Sequence, residues 1–280
     1  MEEVFGIVNE TVDDKDSVLV NELLHATEKL NKYPRELTRS EQEHVFATDH
    51  FYFPRDVQSN EDYKLLDHYD LLILSFLCSQ SKMRKKNVIH SQIITIDSIL
   101  SVVEWQSNRR KAVEKKINDS IDKLVCIDSI SISRDDVLNA ISFKMVIDRY
   151  IKINMLEYLM IMKKIENLSK RSTAFALFLA INDTQYKIED KEHTFITFSS
   201  MDLLGDKSTL STRTITRSLA ELEDVKAVAV YTVSLSRNSH KGTKKNVISC
   251  YSHRDKLRRY VEKEITNKEG KYIYLYDTRK

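Results

Sequence analysis

The sequence is poor in the residues that punctuate turns: 280 residues contain four glycines and two prolines. That scarcity excludes collagen-like and low-complexity classes and argues against many-turned all-β architectures. Helices joined by a few hairpins remain. The three cysteines, Cys78, Cys126 and Cys250, lie far apart. None forms a C-x-x-C pair, and the odd number argues against a disulfide framework. No apolar run approaches the ~20 residues of a membrane helix. The acidic start "MEEVFGIVNETVDDKDSV" lacks the apolar core of a signal peptide. A reducing cytoplasm is the expected compartment.

Chemistry is scarce too. The eight histidines are scattered, with no H-E-x-x-H and no His pair beside a cysteine. Four glycines leave little material for a phosphate-cradling loop. "DHYD" (Asp67–Asp70) and "RDD" (Arg134–Asp136) bring carboxylates together, but a helix start and a hairpin tip account for them. The expectation is a protein that is not an enzyme, with no metal and no cofactor.

What the chain does have is apolar and charged material, 41% and 31% of it, enough for two domains with well-solvated surfaces. The charge is unevenly placed. Residues 1–66 hold 7 Lys and Arg against 15 Asp and Glu, a net −8. Residues 67–206 hold 20 against 19, a net +1, and residues 207–280 hold 17 against 8, a net +9. An acidic head and a basic tail suit a tail that binds a polyanion, although an ordinary protein with uneven surface charge gives the same totals.

Periodicity gives an order of elements. Residues 1–64 read as an acidic arm with a helix over Asp16–Leu30 and an extended run around Pro54. Residues 65–153 read as a first domain: an apolar helix (Leu65–Gln80), a short strand (Ser91–Ile96), a helix capped by Asp97, a longer helix (Ser107–Cys126), a strand (Ile127–Ser133) and its return (Ile141–Ile153). A connecting helix follows over 154–170. Residues 171–252 repeat the order: an apolar helix (Arg171–Asp183), a short strand (His193–Phe198), a short helix stopping near Gly205, a longer helix (Ser211–Val225), a strand (Lys226–Ser236), a basic loop and a return strand (Val247–Ser252). Residues 253–280 read as a basic helix and a sheet-adding strand, "KYIYLYDTRK". The expected fold class is mainly α with small β-hairpins (α+β).

The helix from Ser211 carries the sharpest pattern. With Ile215, Leu219 and Leu222 on the buried stripe, ~100° per residue puts Arg213 and Arg217 almost opposite. Ser211, Thr212, Thr214 and Thr216 surround them. Arginine pairs bidentately with a guanine edge, threonine meets a thymine methyl or a phosphate, and a helix N-terminus favours phosphate. The basic loop adds Arg237, Lys241, Lys244 and Lys245, suited to a DNA backbone or minor groove. The tail helix offers Arg254, Lys256, Arg258 and Arg259 to the same backbone. In the first domain the longer helix offers Asn108, Arg109, Arg110, Lys111 and Lys115 at its leading end, with Asp119 and Asp122 further along. That helix suits DNA contact or dimerisation, so a homodimer stays open.

The stretch "FSSMDLLGDKSTLSTRTITRSLAELEDVKAVAVYTVSL" resembles winged helix-turn-helix DNA-binding domains, in which a Gly-containing turn leads into S-x-R-T-x-x-R-x-L-x-x-L. Here those positions are Ser211, Arg213, Thr214, Arg217, Leu219 and Leu222. The resemblance implies two tandem winged helix-turn-helix domains, with the longer helix in the major groove of double-stranded DNA and the hairpin on its backbone. More loosely, residues 65–252 resemble plasmid replication initiators with tandem winged-helix domains, where a connecting helix leads to a run like "NLSKRSTAFALFLAI" (Asn167–Ile181). Three functions stay open: a nucleoid-associated transcriptional regulator, a plasmid or phage replication initiator on repeated sites, and a winged-helix protein-interaction module.

Overall fold

Two helices that are apolar on every side must be buried on every side. Helix α1 (His68–Ser79) is buried from Tyr69 onward, and α5 (Leu168–Gln185) over most of its length. The two pack against each other. Four of their buried polar side chains turn onto their own helix backbones: Ser75 and Ser79 donate to the Leu72 and Phe76 carbonyls at 2.8 and 2.7 Å, and Asn182 and Thr184 to those of Phe178 and Ile181 at 2.9 and 2.8 Å. This computed structural model describes residues 50–55, 57–58, 60–85, 87–91, 93–103, 110–185, 196–197, 200–235, 243–261 and 273–274. All belong to one compact unit.

The architecture among the described residues is α+β, eight helices with small antiparallel sheets. After α1 come a hairpin, β2 (Lys82–Lys85) and β3 (Val88–His90), then β4 (Ile94–Thr95), α2 (Ile96–Val103), α3 (Arg110–Val125), β5 (Ile130–Asp135) and β6 (Ala140–Val146). Strand β6 has β5 along one edge and β3 and β4 along the other. After α5, residues 196–197 lead towards α6 (Met201–Ser208), α7 (Thr212–Asp224), β8 (Val228–Leu235) and β9 (Thr243–Cys250). In both sets the residues between the first two helices pair with the second hairpin strand: β4 with β6, and Thr197 with Ile248 of β9. Strand β10 (Ile273–Tyr274) adds to the free edge of β8, and α8 (Arg254–Tyr260) packs on the β8–β9 hairpin.

The sets are joined by β7 (Tyr150–Asn154) and α4 (Met155–Lys164), the latter capped by Asn154 accepting from the Leu156 and Glu157 amides. Here the structure differs from the sequence reading. The expected return strand over Ile141–Ile153 is two strands in two sheets. The chain turns at Ile147–Arg149, and β7 pairs with β1 (His50–Pro54) from the expected arm. Phe51 and Phe53 of β1 are buried, which gives β7 a better partner than continued pairing with β5. Helix α2 starts two residues earlier than a cap at Asp97 would place it. The Ser98 amide donates to Thr95 Oγ1 at 3.1 Å, and Asp97 lies inside the first turn, bound to Arg110. The expected helix over Asp16–Leu30 lies outside the described residues.

One buried cation ties the two sets together. Arg171 is 1% exposed and is the largest fully buried side chain among the described residues. Its guanidinium donates to the carbonyls of Ile165 (2.8 Å), Val103 (2.5 Å) and Glu166 (3.0 Å). Val103 is the last described residue of α2; Ile165 and Glu166 form the turn between α4 and α5. The turn carbonyls lie past the end of α4, so the guanidinium supplies a donor that the helix does not. Arg171→Met keeps the apolar stem and strands three buried acceptors. We expect a loss of roughly 2–4 kcal/mol of stability, read from the urea midpoint.

Candidate nucleic-acid interface

Helices α6 and α7 meet at a tight corner. Ser200 caps α6 by accepting the Leu203 amide at 3.1 Å. The helix does not stop at Gly205, as its sequence suggests, but runs on to Ser208 and ends at Thr209 in the left-handed region, φ 56°. Gly205 serves another purpose. The Leu210 amide donates to its carbonyl at 3.2 Å, and a Cβ there would lie 3.0 Å from the Leu210 carbonyl oxygen and 3.5 Å from Ile215 Cδ1. Glycine thus lets the corner fold close against α6.

Ser211 caps α7, accepting the Thr214 amide at 3.3 Å, and its hydroxyl lies 2.9 Å from Thr214 Oγ1. Ile215, Ser218, Leu219 and Leu222 are buried, as the helical spacing requires. At its far end the Ala227 amide donates to Leu222 and that of Lys226 to Glu223, a Schellman ending with Lys226 at φ 59°.

Arg213 and Arg217 are exposed on the face away from this stripe, and neither has an ion pair or hydrogen bond among the described residues. The neighbouring acid is occupied elsewhere: Lys170 of α5 binds Glu221 at 2.6 Å, so Glu221 does not close on Arg217 one turn before it. Thr212 and Thr216 are exposed, and the Thr216 hydroxyl donates to the Thr212 carbonyl at 3.0 Å. The first turn contains no acid.

The expected wing changes. Lys244 and Lys245 belong to β9, opposite Ser234 and Val233, and not to a loop. The ladder runs up to Leu235 and Thr243, so pairing extends further than the polarity of the run suggests. Arg237 and Lys241 lie outside the described residues. In α8, Arg254 stacks on Tyr251, its guanidinium carbon 4.7 Å from the ring centroid, and Lys256, Arg258 and Arg259 are exposed.

The first set presents a different surface. On α3, Arg110 is bound to Asp97 and, at 2.8 Å, to Glu114. Lys111 and Lys115 are exposed, with no ion pair or hydrogen bond among the described residues, while Asn108 and Arg109 lie outside them. The exposed face then turns acidic through Asp119 and Asp122. The β5–β6 tip carries Asp136, with Val137 93% exposed beside half-exposed Leu138. Asp135 Oδ1 accepts both of their amides at 3.0 Å and fixes that tip.

Sequence reasoning missed the groups that hold the corner. Asp183 is buried between Arg55 (2.6 Å) and Lys207, which joins the segment after β1 to α5 and α6. His68 reaches the Ser208 carbonyl from the other set. Partners 128 and 140 positions apart leave no local pattern to find. No protein-family model, curated protein or solved structure matches the chain.

Behind α8 lies a buried carboxyl. Glu157 of α4 accepts the Ser252 amide at 2.7 Å, and burial pushes it up from 4.5 to about 7. Beside Ser252, burial and then the charge of Lys256 push His253 down to about 4. Glu157 holds its proton more tightly folded than unfolded, so its contribution to stability is full below 4.5 and lost as pH rises through about 7. His253 acts oppositely: its contribution is full above its ordinary 6.5 and lost as pH falls through about 4. Glu157→Gln keeps the acceptor and removes only the first effect. The melting temperature of this variant, relative to the parent, should climb between pH 4.5 and 7 and then level off. A flat difference would show that Glu157 is not perturbed.

Proposed function

We propose that the chain is a non-enzymatic, sequence-specific binder of double-stranded DNA, built from two tandem winged helix-turn-helix domains and acting as a transcriptional regulator. The carrying observation is the exposed couple Arg213 and Arg217 on the outer face of α7, without an ion pair among the described residues, one turn apart and clear of acids in the first turn. Two arginines so spaced reach adjacent base edges in a major groove. A partly repeated order, a helix, a short extended stretch, two helices and a hairpin, supports the winged-helix reading: β4 in the first set and the bridge at Thr197 in the second close onto the hairpin, with β2–β3 added in the first set.

The basic tail supplies the sequence-independent part of binding: Lys244 and Lys245 on β9, and the cations of α8, meet phosphates. Lys111 and Lys115 give the first set a weaker hold on DNA, with its acidic, apolar hairpin tip turned to other uses. A place on the nucleoid follows from DNA binding. Among the described residues no helix is long and apolar enough to cross a membrane.

The second reading is a replication initiator of a plasmid or phage. It is favoured by the fusion of both sets through the α1–α5 contact, which suits one chain straddling an extended site.

Selection of bound duplex from a random pool tests both readings. Inverted repeats support the regulator and direct repeats the initiator; no enriched sequence would refute specific binding altogether. On the selected site, Arg213→Ala or Arg217→Ala should each cost roughly 1–3 kcal/mol of base discrimination, measured by gel shift against single-base variants. Replacing Lys244 and Lys245 with alanine should instead weaken selected and unselected duplexes alike. The slope of log K against log salt should fall by about one for each phosphate that is no longer neutralised.

A further inference from the structure

The corner between α6 and α7 is gripped from the opposite set. His68 opens α1, and its Nε2 lies 3.0 Å from the Ser208 carbonyl oxygen and 3.0 Å from Thr209 Oγ1. A carbonyl oxygen only accepts, so Nε2 carries the proton and donates. The contact falls where the backbone is least at ease. Thr209 is β-branched and sits at φ 56°, ψ 28°, a region such residues rarely occupy. Strain of this kind persists only where the surroundings over-determine it. They do here. Ser208 is buried and donates to the Leu204 carbonyl at 2.5 Å, and Lys207 is bound to Asp183.

His68 is itself fixed. Asp67 Oδ1 accepts the Tyr69 and Asp70 amides at 2.8 and 3.0 Å, and Asp70 Oδ2 accepts the Asp67 amide at 2.8 Å, a capping box that encloses His68. Buried Asp70 is held in turn by α3, through Ser120 Oγ at 2.6 Å and Lys123 Nζ at 2.6 Å. Hydrogen bonds from α3 thus hold the start of α1, and through the Asp67–His68 peptide link the path continues to the corner that launches α7.

We propose that His68 is a positioning residue for DNA recognition: acting from the first set, it fixes the α6–α7 corner and so the angle at which Arg213 and Arg217 meet the bases. This rests on the DNA-binding reading of α7. Thr209 lies two residues before the Ser211 cap, so a shift there passes directly into the first turn, where Arg213 stands.

The test compares the full chain with His68→Ala and His68→Gln; glutamine places an amide donor at similar reach. Three quantities are measured: affinity for the selected duplex, affinity for a scrambled duplex, and hydrogen exchange of the Leu210 and Thr214 amides without DNA. His68→Ala should lose about three- to tenfold on the selected duplex, as expected for one hydrogen bond, and nothing on the scrambled one. Both amides should exchange faster, and His68→Gln should restore affinity and protection. Equal losses on both duplexes, unchanged exchange, or no rescue by glutamine would overturn the proposal. If the parent chain selects no sequence, the DNA reading of α7 falls and the proposal with it. If the parent selects a site and His68→Ala selects it equally well, only the assignment of His68 falls.

Discussion

A guanidinium with no access to water must find its acceptors inside the protein, and Arg171 finds them on the backbone of α2 and of the turn between α4 and α5. The geometry this demands is strict. The Val103 carbonyl of α2 must lie where Ile165 and Glu166 turn α4 into α5. The apolar faces of α1 and α5 supply the burial that brings these carbonyls together. Burial stabilises without direction, while the charged hydrogen bonds reward one arrangement. The two sets of elements thus share a single core with a polar pin through it, unlike domains on a flexible tether.

Charge is handled differently inside and outside that core. Arg55 and Lys207 meet Asp183, Lys123 meets Asp70, Lys170 meets Glu221, and Arg134 meets Asp122. The first three ion pairs use buried acids; the last two lie at the surface, where such pairs contribute little stability. Their consequence is local: each removes an acid that would otherwise compete for a neighbouring cation. Around α7 this leaves two arginines without a carboxylate among the described residues. Around α3 the balance differs: Arg110 is engaged twice, Asp122 is held by Arg134, and Asp119 stands on the exposed face. The two sets thus present different surfaces.

Much of this is legible in the sequence. The helical spacing of Ile215, Leu219 and Leu222, and of Val113, Ile117, Ile121 and Leu124, locates both longer helices and their buried stripes. "DHYD" is a capping box, and "RDD" the end of β5 and its turn. The departures share a physical cause. Turns are usually announced by glycine, but this chain places Asn87, Asn139, Thr209 and Lys226 at positive φ instead. Nothing glycine-like therefore marks the β2–β3 hairpin at Asn87, and Gly205 misleads as the end of α6. The split of 141–153 into β6 and β7 is illegible because β7's partner lies some hundred residues earlier. Arg171 and His68 look like ordinary helix residues; their meaning depends on carbonyls supplied by other elements.

The pairing of β1 with β7 has a consequence for how the chain comes into being. His50 faces Asn154 and Pro54 faces Tyr150, so β1 leaves the ribosome about a hundred residues before its partner exists. Arg55 waits longer still for Asp183, and Gln58 for the carbonyl of Ala176. Pairings this remote in sequence close slowly. Until β7, α4 and α5 emerge, β1 lacks its strand partner, and Phe51 and Phe53 lack the rings of Tyr158 and Phe175 that they will meet. The assembly completes only when α5 has emerged, so the nascent protein becomes whole in one late step and not half by half.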